Sequence, residues 1–202
     1  MQLKDYQEIA IKDLLIKSKK LLGYTGSKKL VFKAPTGSGK TIMMAEFLKR
    51  LVDDREVKKT LSFIWTAPRQ LHEQSRNKLE AYFEDTRALK CSFFEDLDDI
   101  RIGENEILFF NWESINREDN IYIRDNERDN NLSNVLVKTR EEGRKIILVI
   151  DECHFANEAP AANKLKDDIN ADLTIEVSAT PVLAGDLDVY VTIDDVKIEG
   201  MI

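Results

Sequence analysis

The sequence is poor in cysteine and histidine, and it has no long apolar run. Its two cysteines, Cys91 and Cys153, have neither the spacing of a disulfide framework nor, with only two histidines, that of a zinc site. The longest apolar stretches, residues 60–65 and 146–150, are far shorter than the roughly 20 residues that span a bilayer. The opening residues also lack the basic and apolar blocks of a secretory signal. We therefore expect reduced thiols and a cytoplasmic protein.

An excess of positive charge is absent as well. Lysine and arginine total 30, against 37 aspartates and glutamates, which gives a formal net charge of −7. We interpret the acidic clusters at residues 95–99 and 118–129 as solvated surface. This balance argues against a uniformly basic nucleic-acid binder, so any contact with nucleic acid must be local.

Short apolar segments alternate with segments of helical periodicity along the chain. Strands are predicted at residues 30–34, 60–65, 90–94, 106–110, 145–150, 173–177 and 189–193. Helices are predicted between Tyr6 and Gly23 and at residues 42–51, 70–83, 132–142 and 161–169. The polar stretch 111–143 is predicted to begin as an irregular insertion. This alternation is typical of an α/β fold, and we expect a single domain over residues 1–202, with a mostly parallel central sheet flanked by helices in three layers.

A glycine-rich loop at residues 34–41 lies between the first predicted strand and the helix that follows it. Gly37 and Gly39 allow backbone amides to turn toward an anion, and Lys40 supplies a charge for the β and γ phosphates of ATP. The Thr41 hydroxyl is a predicted Mg²⁺ ligand. The general phosphate-loop pattern begins with glycine, whereas Ala34 stands at that position here. The predicted nucleotide-binding residues of the loop are Pro35, Thr36, Gly37, Ser38, Gly39, Lys40 and Thr41.

Two carboxylates follow the most apolar predicted strand, at residues 146–150. In α/β sheets, sites form at the carboxyl ends of the strands. Asp151 is predicted to hold Mg²⁺ and Glu152 to orient and deprotonate the attacking water, because phosphoryl transfer depends on positioning and charge neutralisation. We expect both, together with Lys40, to be catalytic. The alternative is that the two carboxylates form only an acidic turn at the end of a strand, and the phosphate loop on the same predicted sheet argues against this interpretation.

These motifs, in their order along the chain, resemble those of superfamily two helicases and translocases of the DExH class. Tyr6 and Gln7 resemble the Q motif, residues 34–41 motif I, residues 151–154 motif II and residues 178–181 motif III. The resemblance covers essentially the whole chain. It implies a P-loop NTPase domain of RecA-like fold that uses ATP and Mg²⁺, in which Gln7 reads the edge of the adenine.

The resemblance also implies roles outside the nucleotide site. His154, Ser178 and Thr180 look like the residues that relay the nucleotide state to the surface that moves the strand. The alternatives without such a role are that His154 is an ordinary histidine and that Ser178 and Thr180 belong to a strand end rich in hydroxyl groups.

Nucleic-acid contacts are implied by two further motifs. Residues 66–71 resemble motif Ia, in which Pro68 and Arg69 would contact the nucleic-acid backbone, although a helix start with an exposed arginine is an equal alternative. Residues 111–114 fall where motif Ib is expected, with Asn111 as a nucleic-acid contact. Trp112 could equally be a core aromatic.

A narrower resemblance is to the restriction subunit of Type III restriction-modification enzymes. It lies in residues 110–116, 138–140 and 143–146, and in residues 196–202, which look like that family's connector to the second motor lobe. Cys153 replaces the small residue that is usual at its position. This family implies ATP-driven action on double-stranded DNA, a modification methyltransferase partner, and a second RecA-like lobe and nuclease domain further along the full-length chain.

Without the second lobe, which supplies arginine fingers in this family, we expect the 202-residue chain to bind ATP weakly and to turn it over very slowly. Two other functions remain open at this point. One is an RNA or DNA helicase with the same core and no restriction role. The other is a nucleotide-gated binding module without turnover, against which the intact Lys40, Asp151 and Glu152 argue.

Overall fold

The computed structural model describes residues 2–111, 131–153, 160–180 and 184–200. Within these ranges the strands are β1 (Lys28–Lys33), β2 (Leu61–Ala67), β3 (Lys90–Ser92), β4 (Glu106–Asn111), β5 (Lys145–Asp151), β6 (Leu173–Ser178) and β7 (Leu187–Tyr190). The helices are α1 (Asp5–Leu22), α2 (Lys40–Asp53), α3 (Leu71–Phe83), α4 (Leu132–Glu141), α5 (Pro160–Ile169) and α6 (Ile193–Ile198). Among the described residues, no helix is both long and apolar enough to cross a bilayer.

The strands form one sheet in the order β3-β4-β2-β5-β6-β1-β7, and all neighbouring pairs are parallel. This confirms the predicted α/β fold with a parallel central sheet. The central strands β2 and β5 are buried along nearly their whole length, which explains why their sequences are continuous apolar runs. Because the strands are parallel, their carboxyl ends all lie at one edge of the sheet.

The core lies on both faces of the sheet, as a three-layer arrangement requires. Along β5, Ile147 and Val149 pack with the side chains of α1, α2 and α3, whereas Ile146, Leu148 and Ile150 pack with those of α4 and α5. The period of two along the strand assigns each side chain to one layer. Burial of these two apolar layers is the main driving force for the fold.

The last predicted strand is wrong over its final residues. β7 ends at Tyr190, and Ile193 begins α6 instead of continuing the strand. Thr192 caps the new helix, because its hydroxyl accepts a hydrogen bond from Asp195 N (3.1 Å) while the Asp195 carboxylate accepts one from Thr192 N (2.8 Å). This reciprocal capping box favours a helix start over an extended chain.

The predicted strand at residues 90–94 is also too long. β3 ends at Ser92, and the chain turns into two short 3₁₀ helices, Phe94–Asp96 and Asp98–Ile100. The Asp96 carboxylate accepts a hydrogen bond from Phe93 N (2.8 Å), which draws the backbone away from the sheet. The acidic residues of this segment are exposed, as the sequence indicated, and the acidic cluster at 118–129 lies outside the described residues.

Candidate nucleotide-binding site

The predicted motifs come together at the carboxyl edge of the sheet. β6 lies between β5 and β1, with Asp151 in register with Val177 and Lys33 in register with Ser178. The loop after β1, the acid pair at the end of β5 and the hydroxyl residues at the end of β6 therefore leave the sheet side by side. This is the position at which open α/β sheets bind ligands.

The glycine-rich loop is shaped by two residues in left-handed backbone conformations. Gly37 has φ of 84° and Gly39 has φ of 83°, a region that residues with a Cβ atom avoid. Ser38 N donates to Pro35 O (3.2 Å), which closes a tight turn, and Met43 N donates to Gly39 O (3.0 Å) as α2 begins. Since the residue that precedes α2 is a glycine, it offers no side-chain cap to the first N–H groups of the helix. Those groups are suited to an anion.

The start of α1 packs against this loop. Tyr6 Oη (2.8 Å) and Gln7 Nε2 (3.0 Å) both donate to Ser38 O, and Gln7 Oε1 accepts from Lys4 N (3.0 Å). A Cβ atom on Gly39 would lie 2.6 Å from Gln7 Nε2, so any larger residue there would have to displace the Gln7 side chain. The structure thus places Gln7 at the loop, whereas its reading of adenine stays a prediction. The contact of the Tyr6 hydroxyl was missed, because no sequence signal pairs it with Ser38.

The other loop residues differ in exposure. Ser38 is fully buried, and its Oγ has no hydrogen-bond partner among the described residues. Thr36 is exposed, while Pro35 and Thr41 are half-buried. A buried hydroxyl without a partner is unfavourable, and phosphate oxygens would supply the missing acceptor. The loop therefore fits a nucleotide.

Asp151 is a buried carboxylate with little compensation for its charge. Its Oδ2 accepts from Ser75 Oγ (3.2 Å) and its Oδ1 from Glu152 N (3.0 Å), while only 8% of the residue is exposed. Burial, with a smaller effect of the charge of Glu152, raises the pKa of Asp151 to about 6 against the opposing effects of Ser75 and Lys40. An anionic oxygen donor in this position fits a hard divalent cation such as Mg²⁺, which would stabilise the charged form.

Lys40 and Glu152 face each other across the edge. Lys40 Nζ lies 3.8 Å from Glu152 Oε1, and the lysine side chain is only 10% exposed. Glu152 also has a φ of 52°, which is uncommon for a residue with a side chain and costs on the order of 1 kcal/mol. The structure thus joins the phosphate loop to the acid pair, as the two motifs required. The catalytic roles of these residues stay predictions.

Ser178, at the end of β6, is hydrogen-bonded to the start of the phosphate loop and to the residues that follow β6. Its carbonyl accepts from Ala34 N (3.2 Å), at the start of the phosphate loop, and its Oγ accepts from Thr180 N (3.1 Å). Burial, with a smaller effect of the charge of Glu176, raises the pKa of the Cys153 thiol to about 12 even though a hydrogen bond with Ser178 lowers it. Cys153 therefore stays a neutral thiol beside Ser178. His154 lies outside the described residues, so its predicted relay role with Ser178 is untested.

The predicted nucleic-acid residues lie further along the same edge. β2 and β4 pair with Ala67 in register with Asn111, which places Asn111 beside the segment that contains Pro68 and Arg69. Pro68 is buried, Asn111 is half-buried and Arg69 is exposed with a φ of 54°. Arg69 is therefore the member of this group that presents its side chain to solvent. Trp112 lies outside the described residues.

Comparisons with known proteins agree with this geometry. The family model described as the res subunit of Type III restriction enzymes matches residues 1–183. No curated protein matches the chain. A nuclease-deletion mutant of the Type ISP restriction-modification enzyme LlaGI, solved in complex with a DNA substrate mimic, superposes with a TM-score of 0.61 at 16% identity. The match covers 100% of this chain and 21% of that enzyme, so this chain spans about a fifth of its length.

Two structures of a variant of Dbp5 from S. cerevisiae are also similar. The one bound to Nup159, Gle1, IP6 and ADP has a TM-score of 0.49 at 14% identity, over 96% of this chain and 54% of that chain. The one bound to RNA and ADP BeF3 has a TM-score of 0.48 at 14% identity, over 96% and 51%. At such low identity, the superposition on LlaGI shows a shared fold and nothing more. The family match, which covers most of the sequence, shows that this chain, an α/β domain of RecA-like fold, belongs to the family of the res subunit of Type III restriction enzymes.

Proposed function

We propose that this domain binds Mg-ATP at the carboxyl edge of its sheet and couples ATP hydrolysis to movement along double-stranded DNA. The observation that carries the proposal is the 3.8 Å approach of Lys40 Nζ to Glu152 Oε1, between the loop and the acid pair. A phosphate-binding cation and a potential general base thus lie next to each other at the carboxyl edge of the sheet.

The chain's own groups divide the work of phosphoryl transfer. The backbone amides of the loop and the Lys40 ammonium hold the phosphates, while Thr41 and Asp151 hold Mg²⁺. When bound, Mg²⁺ neutralises charge on the β and γ phosphate oxygens. Glu152 orients a water molecule and takes its proton as the water oxygen bonds to the γ phosphorus. The bond from that phosphorus to the bridging oxygen breaks, and ADP leaves with the electron pair.

Nucleotide binding redistributes the charge around Glu152. Before binding, the nearby cation is Lys40, at 3.8 Å. A triphosphate attracts Lys40 more strongly than one carboxylate does, which leaves Glu152 to hold the water. The arrangement therefore makes the base available when its substrate is in place.

A change in the position of the phosphate loop can be transmitted to the end of β6 through Ser178. Because the Ser178 carbonyl accepts from Ala34 N, a shift of the loop acts directly on the end of β6. Thr180, whose N–H donates to the Ser178 hydroxyl, lies on the exposed continuation of that strand. Together with His154, these two residues are proposed to relay the nucleotide state to the DNA-contacting surface.

Pro68, Arg69 and Asn111 are proposed to contact the DNA backbone locally, since the net charge of −7 argues against a uniformly basic surface. The match to the family of the res subunit of Type III restriction enzymes favours DNA over RNA as the partner. A modification methyltransferase, a second RecA-like lobe and a nuclease domain of the full-length protein are proposed partners of this domain on the same family grounds.

Nucleotide binding is tested with Lys40→Ala and its matched control Lys33→Ala, an exposed lysine at the end of β1 just before the loop. We expect Lys40→Ala to weaken ATP affinity about tenfold or more, because a charge-assisted hydrogen bond is worth roughly 1.5–3 kcal/mol. Lys33→Ala should bind as the wild type does. Equal ATP affinity of the wild type and both variants, measured by calorimetry, would refute the proposed binding of phosphate by Lys40.

Turnover and the nucleic-acid partner are tested in the full-length protein. Glu152→Gln should retain ATP binding and lose hydrolysis by about a hundredfold or more, the usual effect of removing a general base. Duplex DNA should stimulate the wild-type ATPase. Stimulation by single-stranded RNA alone would instead assign the domain to an RNA helicase.

A further inference from the structure

Ser75 is a buried hydroxyl residue of α3 that belongs to none of the sequence motifs. It is 6% exposed, and its Oγ donates to Asp151 Oδ2 at 3.2 Å. The hydrogen bond that Asp151 accepts from Glu152 N comes from its own neighbour in the chain. Ser75 therefore anchors the Asp151 carboxylate to a separate element of the fold.

The helix that carries Ser75 continues directly from the segment proposed to contact DNA. Leu71 N donates to Pro68 O (3.1 Å), Gln74 N donates to Gln70 O (3.3 Å), and His72 Nδ1 lies 3.0 Å from Arg69 O. The first turn of α3 is thus fastened to residues 68–70. Ser75 follows about one helical turn later, so a shift of residues 68–70 moves it as part of the same rigid unit.

The two strands that lead into these segments are neighbours. β2, which runs into Pro68, pairs with β5, which ends at Asp151, and Thr66 is in register with Ile150. Their ends are fixed relative to each other by the sheet. Motion of α3 relative to this fixed edge would be felt by the Asp151 carboxylate through the Ser75 hydroxyl.

We propose that Ser75 is a positioning residue that orients Asp151 for Mg²⁺ and makes α3 a direct link between the DNA-contacting segment and the metal site. The inference rests on the proposed function, since it takes Asp151 as the Mg²⁺ ligand and Pro68 and Arg69 as DNA contacts. A carboxylate has about four lone-pair positions, so the bond from Ser75 fixes its plane and leaves positions free for a metal or its water. Hydrogen bonds of this kind to metal-binding groups typically change metal affinity 10–100-fold.

The link works in both directions. If DNA binding changes the position of Ser75 and hence the affinity for Mg-nucleotide, then Mg-nucleotide must change the affinity for DNA by the same factor. This path differs from the relay through Ser178, because it acts on the metal ligand and not on the phosphate loop. Its removal should leave nucleotide binding without metal intact.

The experiment compares the wild type with Ser75→Ala and two control variants. Ser18 is also fully buried, on α1, and its Oγ has no hydrogen-bond partner among the described residues, so Ser18→Ala removes a hydroxyl without removing a bond. Ser62→Ala removes the bonds of the Ser62 hydroxyl to Ile102 O (3.1 Å) and Gly103 O (2.8 Å), far from the acid pair, and tests a purely structural loss. Binding of a fluorescent ATP analogue is titrated with Mg²⁺, with and without duplex DNA.

Ser75→Ala is expected to raise the Mg²⁺ concentration at half-saturation about tenfold, to leave metal-free nucleotide binding unchanged, and to reduce the effect of DNA on nucleotide affinity. Both controls should keep the wild-type Mg²⁺ dependence, although Ser62→Ala should be less stable to urea. A wild-type Mg²⁺ dependence in Ser75→Ala overturns the positioning role, and an unchanged DNA effect overturns the link. Failure of the wild type itself to bind nucleotide in a Mg²⁺-dependent manner would instead count against the proposed function.

Discussion

Replacing Asp151 by Asn should stabilise the ligand-free domain even though it removes the proposed metal ligand. Burial and the charge of Glu152 together raise the pKa of Asp151 from 3.8 to about 6, net of the opposing effects of Ser75 and Lys40. At roughly 1.4 kcal/mol per pKa unit, this corresponds to about 3 kcal/mol by which the charged form is less favourable in the folded than in the unfolded protein. Asparagine has no charge, and its amide can still accept from Glu152 N while donating to the Ser75 hydroxyl.

The pH dependence of this gain follows from the sign of the shift. Because the pKa of Asp151 is higher in the folded state, the penalty is fully present above about pH 6 and is lost as the pH falls toward 3.8. The variant should therefore be more stable than the wild type at pH 7 by about 1–3 kcal/mol, the lower figure allowing for imperfect replacement of the carboxylate. The difference should shrink steadily between pH 6 and pH 4.

The assay is urea unfolding of the domain in EDTA without nucleotide, because a bound cation would offset the penalty. Asp85→Asn is the matched control, since Asp85 is exposed and its substitution should change the free energy of unfolding by no more than about 0.5 kcal/mol. An Asp151→Asn variant no more stable than the wild type at pH 7, or a gain that does not depend on pH, would show that Asp151 is not a desolvated carboxylate.

Two further pairs of substitutions test the close approach at Gly39 and the buried charge of Glu176. Gly39→Ala should lose about 1–2 kcal/mol of stability and bind nucleotide more weakly, because φ is 83° there and the new Cβ would displace Gln7. Gly26→Ala, at φ of 77° with nothing within 4 Å, controls for the backbone effect, so equal nucleotide affinity of the two variants would contradict the steric argument. Lys166 Nζ lies 2.7 Å from one carboxylate oxygen of the fully buried Glu176, and Lys29 Nζ lies 3.5 Å from the other. Lys166→Met should lower the free energy of unfolding in urea by about 3 kcal/mol, because it leaves the buried carboxylate with only the more distant Lys29. Glu176→Gln should cost less, and the reverse order would show that the pair is not a buried charge pair.

The sequence was informative where the physical cause is local. The loop around Gly37 and Gly39 could be predicted because left-handed backbone demands glycine at fixed spacing beside a strand. The end of β5 could be predicted because five apolar residues lead directly into Asp151. Since parallel strands share a carboxyl edge, these two local signals were enough to place loop and acids together.

Features that depend on distant residues could not be predicted in this way. Ser75 lies 76 positions before Asp151, and a lone serine on a helix has no pattern that points to its partner. The contact of Tyr6 with the Ser38 carbonyl is of the same kind. The order of the strands, with β6 between β5 and β1, likewise follows from tertiary packing and not from the period of any one segment. By contrast, Thr192 and its capping box were present in the sequence and outweighed the apolar run before them.

Several unfavourable features of this fold lie at the carboxyl edge of the sheet. Asp151 carries a charge that burial disfavours, and Arg69 and Glu152 have left-handed backbone. The buried Ser38 hydroxyl has no partner among the described residues. None of these groups belongs to the apolar core on either face of the sheet. A bound anion and cation would offset the unpaired hydroxyl and the buried carboxylate together. These features lower the stability of the fold at this edge, and their relief by bound ligands supports the proposed Mg-nucleotide site there.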